Sequence, residues 1–127
     1  RMLLVYGFLR KVFEVFEKYK TPIDMITTSE VAVSLTIDNP EFLKSIIQEL
    51  EVLGTVEIDE GQTIISVVGH NINETEEIIK KLFGSIRSIP IRMVSYGGSR
   101  HNISLLVAAE HKTQLLQQLN KGMFGLN

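Results

Sequence analysis

Pro22-Ile23-Asp24-Met25-Ile26 is echoed later in the chain by Pro90-Ile91-Arg92-Met93-Val94, and each stretch follows an amphipathic helical pattern. Before the first stand Phe8, Leu9, Val12, Phe13 and Phe16; before the second stand Ile78, Ile79, Leu82, Phe83 and Ile86. Both sets follow the spacing i, i+1, i+4, i+5, i+8, which lays one apolar stripe along a helix. A helix that runs into the same proline-led, β-branched strand twice in one chain reads as an internal repeat.

Working outward, Arg10, Lys11, Glu14, Glu17 and Lys18 fill the polar face of a helix over Phe8–Tyr19, which Pro22 ends. Ile23–Thr28 is predicted as a strand, and Val31, Val33, Leu35 and Ile37 alternate as a second. A tight Ser29-Glu30 connection makes that pair antiparallel. Asn39-Pro40 predicts a helix start, with Phe42, Leu43, Ile46, Ile47 and Leu50 on its apolar face and Gly54 ending it in a left-handed conformation. Val56–Ile58 alternates as a strand, Glu60-Gly61 turns, and Ile64–Val68 is another strand. A helix follows Asn73, with Ile78, Ile79, Leu82, Phe83 and Ile86 inward. Two strands, Ile91–Ser95 and Ile103–Val107, flank Gly97-Gly98-Ser99, and Leu115, Leu116 and Leu119 mark a last helix, with Met123 and Phe124 expected in the core.

The order is αββαβ and then βαββα. The expected class is α+β: two ferredoxin-like βαββαβ units in tandem, each an antiparallel sheet with helices on one face. The units divide as residues 1–61 and 62–127. Met2–Tyr6 supplies the end of the first unit's leading strand. The second unit's trailing strand is expected from upstream sequence or another chain.

The chain has 127 residues, 44% of them hydrophobic and 22% charged, enough apolar material for a packed core. Thirteen basic residues against 15 acidic ones leave a net charge of -2, without the basic excess that binding to a phosphate backbone demands. There is no cysteine, which removes disulfides, thiol catalysis and cysteine zinc sites. No apolar run approaches the roughly 20 residues of a membrane span. A cytoplasmic protein that binds neither nucleic acid nor membrane is expected. The abrupt start at Arg1-Met2-Leu3-Leu4 reads as a piece of something longer.

Three segments carry a family resemblance: Met2-Leu3-Leu4-Val5-Tyr6-Gly7-Phe8-Leu9, Ile23-Asp24-Met25-Ile26-Thr27-Thr28-Ser29-Glu30-Val31, and Ser95-Tyr96-Gly97-Gly98-Ser99-Arg100-His101-Asn102-Ile103-Ser104. They resemble the regulatory region of aspartate kinase, and the middle one is similar to lysine-sensitive members. The resemblance implies tandem ACT domains that sense an amino acid and feed back on an upstream kinase domain. That domain phosphorylates aspartate with ATP and Mg, on the route to lysine, threonine and methionine. Its Lys-Phe-Gly-Gly-Thr motif is absent from this chain, so the fragment is expected to be regulatory, with no catalytic residues and no cofactor of its own. The resemblance also implies a homodimer through the first ACT copies, with residues of both subunits lining each pocket.

A free amino acid presents a carboxylate and an ammonium, so a sensor needs donors for one and an anion for the other. Gly7-Phe8-Leu9 opens the first helix, where unpaired N–H groups and the helix dipole favour a carboxylate, and Gly7 permits close approach. Asp24 begins the next strand and can accept the α-ammonium. The family match extends the effector-binding set to Met2, Gly7, Phe8, Leu9, Asp24, Thr28, Ser29 and Glu30, with L-lysine as effector and Glu30 facing its ε-ammonium. Leu4-Val5-Tyr6 departs from the more polar stretch of lysine-sensitive relatives, which place a serine at the Val5 position. Arg92 matches Asp24 in the second copy and would repel an ammonium, so only the first copy is expected to bind.

His70, His101 and His111 lack metal-ligand spacing, and no metal site is expected. Three other readings fit the same pattern: a threonine sensor, a ligand-free dimerisation module, and an acylphosphatase-like hydrolase. The last lacks a phosphate-cradling loop with a paired Arg and Asn.

Overall fold

The computed structural model describes residues 7–29, 32–69, 76–97 and 101–125. The chain divides into two compact units, Arg1–Ile58 and Asp59–Asn127.

In the first unit the elements are α1 (Phe8–Lys18), β1 (Ile23–Thr28), β2 (Val33–Ile37) and α2 (Leu43–Glu51). The i, i+4 spacing of α1 buries Val12 and Phe16, together with Val15, against Ile46 of α2. Ile23 of β1 and Leu35 and Ile37 of β2 pack against the same cluster. Leu9 and Phe13, expected on the buried stripe, are 39% and 43% exposed. The stripe that packs is thus rotated by about one residue towards Val15. β1 and β2 pair antiparallel, and the Ser29 N–H donates to the Ala32 carbonyl (2.9 Å) across their tight connection.

The second helix begins later than its sequence signal. The Asn39 side chain accepts from the Glu41 N–H (3.0 Å) and closes a turn, and helical geometry starts only at Leu43. Gly54 is not left-handed; α2 ends at Glu51, and the Leu53 and Gly54 N–H groups both return to the Leu50 carbonyl. The strand expected over Val56–Ile58 is absent from both sheets among the described residues. Alternation over three residues makes a strand only where a neighbour offers a hydrogen-bond ladder.

In the second unit the elements are β3 (Gln62–Val68), α3 (Glu76–Ser85), β4 (Met93–Ser95), β5 (Asn102–Ala108), a 3₁₀ turn (Ala109–His111) and α4 (Lys112–Phe124). The sheet order is β3-β5-β4, antiparallel throughout. Being central, β5 is buried without a break from Ile103 to Val107. Ile103, Leu105 and Val107 pack with Ile65, Val67, Leu82, Leu115 and Leu119 in one core. Ser104 points to the other face and is also buried, its hydroxyl bonded to Ser66 Oγ (2.9 Å) and to the Asn102 amide (3.0 Å). Phe83 and Phe124, expected in the core, are 40% and 55% exposed, while Met123 packs against the core as expected. Gly98 and Ser99 lie outside the described residues.

Antiparallel sheets joined to helices make the class α+β, as the periodicities predicted.

Candidate functional site

Gly7 sets the entry to α1. Its backbone is left-handed (φ 84°, ψ 9°), a conformation in which a Cβ is strained, and its carbonyl already accepts the Lys11 N–H at 3.0 Å. The N–H groups of Phe8, Leu9 and Arg10 therefore stand at the helix mouth with no intrahelical acceptor. Among the described residues no side chain caps them, and no acidic residue sits in the first turn. An uncapped N-terminus without a carboxylate of its own is suited to an incoming one. Phe8 is half-buried and packs against the unit's core, which anchors this end, while Leu9 stays exposed.

Asp24 lies on an irregularity of β1 that nothing in the sequence signals. Ile23 pairs with Ile37 but Ile26 pairs with Leu35, so Asp24 and Met25 together oppose Thr36 in a β-bulge. The Met25 N–H, displaced from the ladder, donates instead to Thr36 Oγ1 (3.0 Å), and Met25 is buried. The adjacent Asp24 is thrown outward and exposed. Ile23 and Phe8 both pack against the apolar cluster of the unit, and the turn that leads into β1 is bonded to the tail of α1 through the Thr21 N–H and the Phe16 carbonyl (2.9 Å).

Thr28 closes β1 opposite Val33, and Ser29 follows in the connection; both are exposed. Four residues of strand separate Thr28 from Asp24 by roughly 13 Å. The predicted residues thus fall into separate places: Gly7, Phe8 and Leu9 at the head of α1, Asp24 at the head of β1 three residues after Thr21, whose N–H bonds the Phe16 carbonyl near the helix tail, and Thr28 with Ser29 at the far end of β1. Met2 and Glu30 lie outside the described residues, as does the Leu4-Val5-Tyr6 departure.

At the opposite end of α1 is a constellation with no sequence signal, since its members are some thirty residues apart. Glu49 Oε2 on α2 accepts from Lys18 Nζ at 2.9 Å and from the Tyr19 hydroxyl. The Tyr19 ring lies 5.9 Å from that of Phe42, and the Lys18 ammonium is 5.4 Å from the Tyr19 ring centre. The Tyr19 hydrogen bond, with the Lys18 bond second, holds the Glu49 carboxyl below the usual range. The same carboxylate raises the Lys18 ammonium and the Tyr19 phenol.

In the second unit, Arg92 occupies the place that Asp24 holds in the first. Its backbone N–H donates to the Leu106 carbonyl (2.8 Å), and its guanidinium pairs with Asp59 at 2.5 Å. Among the described residues no group of three His, Asp or Glu side chains could hold a metal ion, and no helix is long and apolar enough to cross a membrane.

A family model described as ACT domain matches residues 65–123. The lysine-sensitive aspartokinase 3 of Escherichia coli is 34% identical over 97% of this chain, and the chain spans 29% of that protein's length. A solved C-terminal regulatory domain of aspartate kinase from Porphyromonas gingivalis W83 is 43% identical, with a TM-score of 0.85 over 96% of this chain and 84% of that one. The structure of E. coli aspartokinase III in complex with lysine and aspartate, in its T-state, is 35% identical, with a TM-score of 0.82 over 94% of this chain and 28% of that one.

Proposed function

Since the chain belongs to the aspartate kinase family, in the C-terminal regulatory portion of its members, we propose that it is an amino-acid-sensing module of two tandem ACT units with L-lysine bound at the first. The ACT match falls on the second unit, and the first repeats its order of a helix followed by a proline-led strand. The observation that carries the site is the N-terminus of α1 behind Gly7, uncapped among the described residues and free of acidic residues in its first turn. It offers three N–H donors to a carboxylate, while Asp24, thrown outward by the bulge, offers an anion to the ammonium. The Arg92–Asp59 pair gives the second unit the opposite charge at the matching position.

Lysine is favoured because the neighbour at 35% identity was solved with lysine and aspartate bound. Met2, Thr28, Ser29 and Glu30 complete the proposed lining. The separation of the α1 head, Asp24 and the far end of β1 suits a pocket shared by two copies, with residues of both chains lining it. Lysine bound there favours a less active state of an upstream kinase domain, which phosphorylates aspartate with ATP and Mg in the cytoplasm. Coupling requires that lysine bind that state more tightly.

Calorimetry of the chain with L-lysine, L-threonine and L-methionine, repeated on Asp24→Asn, tests the reading. Lysine is expected to bind in the micromolar to millimolar range, and the variant about tenfold more weakly, as the loss of one charge-assisted bond requires. Equal affinity in the variant removes Asp24 from the site. Heat with threonine alone makes threonine the effector. No heat with any amino acid, together with a sedimentation coefficient indifferent to all three, leaves a dimerisation module.

A further inference from the structure

α1 is about 16 Å long, with the proposed carboxylate donors at one end and the Glu49 constellation at the other. Its hold on the rest of the unit is uneven. The buried residues Val12, Val15 and Phe16 all belong to its middle and C-terminal half, whereas Leu9 and Phe13 are exposed. Beyond the helix the chain is tied down repeatedly. Lys20 takes a left-handed conformation (φ 48°), and buried Thr21 donates its N–H to the Phe16 carbonyl (2.9 Å) and its hydroxyl to the Tyr19 carbonyl (3.1 Å).

Among the described residues only half-buried Phe8 holds the head, so the direction of α1 is set chiefly at its tail. A tilt of about 10° at the C-terminal end carries the first-turn N–H groups roughly 3 Å, far beyond what a hydrogen bond tolerates. As an exposed ion pair alone, Lys18–Glu49 would contribute little. It is joined, however, by a tyrosine from the next position in the chain, and the two converge on one carboxylate oxygen of α2. Two donors of fixed spacing on a single acceptor restrict rotation as well as distance.

We propose that Glu49 is a positioning residue of the amino-acid site: through Tyr19 and Lys18 it fixes the direction of α1 and so aims the first-turn N–H groups of Phe8, Leu9 and Arg10. The inference rests on the effector reading given above. It adds a residue outside the predicted set and at the far end of the helix from the ligand.

The test uses the full 127-residue chain and four variants, Glu49→Ala, Glu49→Gln, Tyr19→Phe and the double Tyr19→Phe/Glu49→Ala. Lysine calorimetry is run at a temperature where circular dichroism shows each to be folded, and amide exchange is followed in parallel. Glu49→Ala and Tyr19→Phe are each expected to weaken lysine about fivefold, a change of about 1 kcal/mol. Glu49→Gln keeps an acceptor for the Tyr19 hydroxyl and recovers most of that loss, and the double variant is no weaker than Glu49→Ala. The Lys11 amide, bonded to the Gly7 carbonyl at the head of α1, exchanges faster in Glu49→Ala while the amides of the β1–β2 ladder do not change.

Wild-type lysine affinity in Glu49→Ala and Tyr19→Phe, with only a lower melting temperature, makes the constellation purely structural and overturns the inference while the effector reading stands. If Glu49→Ala does not fold, Tyr19→Phe alone decides by the same measure. Absence of lysine binding in the wild type overturns both, since there is then no site to aim.

Discussion

The backbone of Gly122 on α4 passes directly over Ser85 at the end of α3: a Cβ at position 122 would stand 1.8 Å from Ser85 Oγ and 2.4 Å from Ser85 Cβ. Ser85 Oγ cannot simply turn aside, because it donates to the Lys81 carbonyl at 2.5 Å, and the Cβ is fixed to the helix backbone. The two helices approach this closely because neither carries bulk at the crossing.

Gly122→Ala is therefore expected to destabilise the chain by about 1–3 kcal/mol, the cost of forcing two packed helices apart, despite alanine's better helix propensity. Chemical denaturation should show a lower midpoint at unchanged slope. Ser85→Gly combined with Gly122→Ala should recover part of the loss, and strict additivity of the two changes would mean that the clash is relieved elsewhere.

Gly7→Ala tests the entry to α1. The left-handed φ of 84° costs an L-residue roughly 1 kcal/mol, although a Cβ there would touch none of the described residues. A fall in stability of that size is expected, accompanied by weaker lysine binding as the first turn relaxes away from its strained entry. Equal lysine affinity in the variant would separate Gly7 from the proposed site.

Thr36 holds the β-bulge, since its hydroxyl is the acceptor that the Met25 N–H finds in place of the ladder. Thr36→Val conserves shape and leaves that donor unpaired, so a loss of about 1–3 kcal/mol is expected in denaturation. Thr36→Ser keeps the oxygen and should be milder. Lysine affinity is expected to fall in Thr36→Val as well, because the bulge sets the position of Asp24.

The Glu49 constellation has a defined pH signature. Glu49 is held below its ordinary range, so its contribution is complete above about pH 4.3 and lost as the pH falls through the lower folded value. Lys18 and Tyr19 are held above theirs, so their contributions are present below about pH 10 and lost as the pH rises through the raised values. The stability difference between wild type and Glu49→Gln should be flat across neutral pH and shrink on both flanks. A difference independent of pH from about 3 to 11 would exclude the ionised arrangement.

Much of the fold was legible because it rests on local periodicity. The stripe over Phe8–Phe16, the alternation over Val33–Ile37 and the echo of Pro22–Ile26 in Pro90–Val94 each need only a few consecutive residues to be read. Their elements stand within a few residues of expectation. Val56–Ile58 misled for the same reason, since a local pattern does not say whether a ladder is available. Phe83 and Phe124 misled because an apolar residue on a helix has several faces to occupy, and only the neighbouring elements decide which is covered.

The candidate site divides along the same line. A glycine before an amphipathic helix marks a helix entry, and Asp24 beside Ile23 marks the head of a strand; both are properties of adjacent residues. That the α1 entry is uncapped among the described residues, that β1 bulges at Asp24, and that Glu49 gathers Lys18 and Tyr19 from some thirty residues away depend on which segments meet. The sequence alone determined the elements, the α+β class and the resemblance of the chain, because these are written in short-range periodicity and motif. Register, the bulge, the Gly122–Ser85 crossing and the clasp on α1 were decided only by tertiary structure, because hydrogen bonds and close packing between distant segments depend on ångström-scale placement that no local pattern encodes.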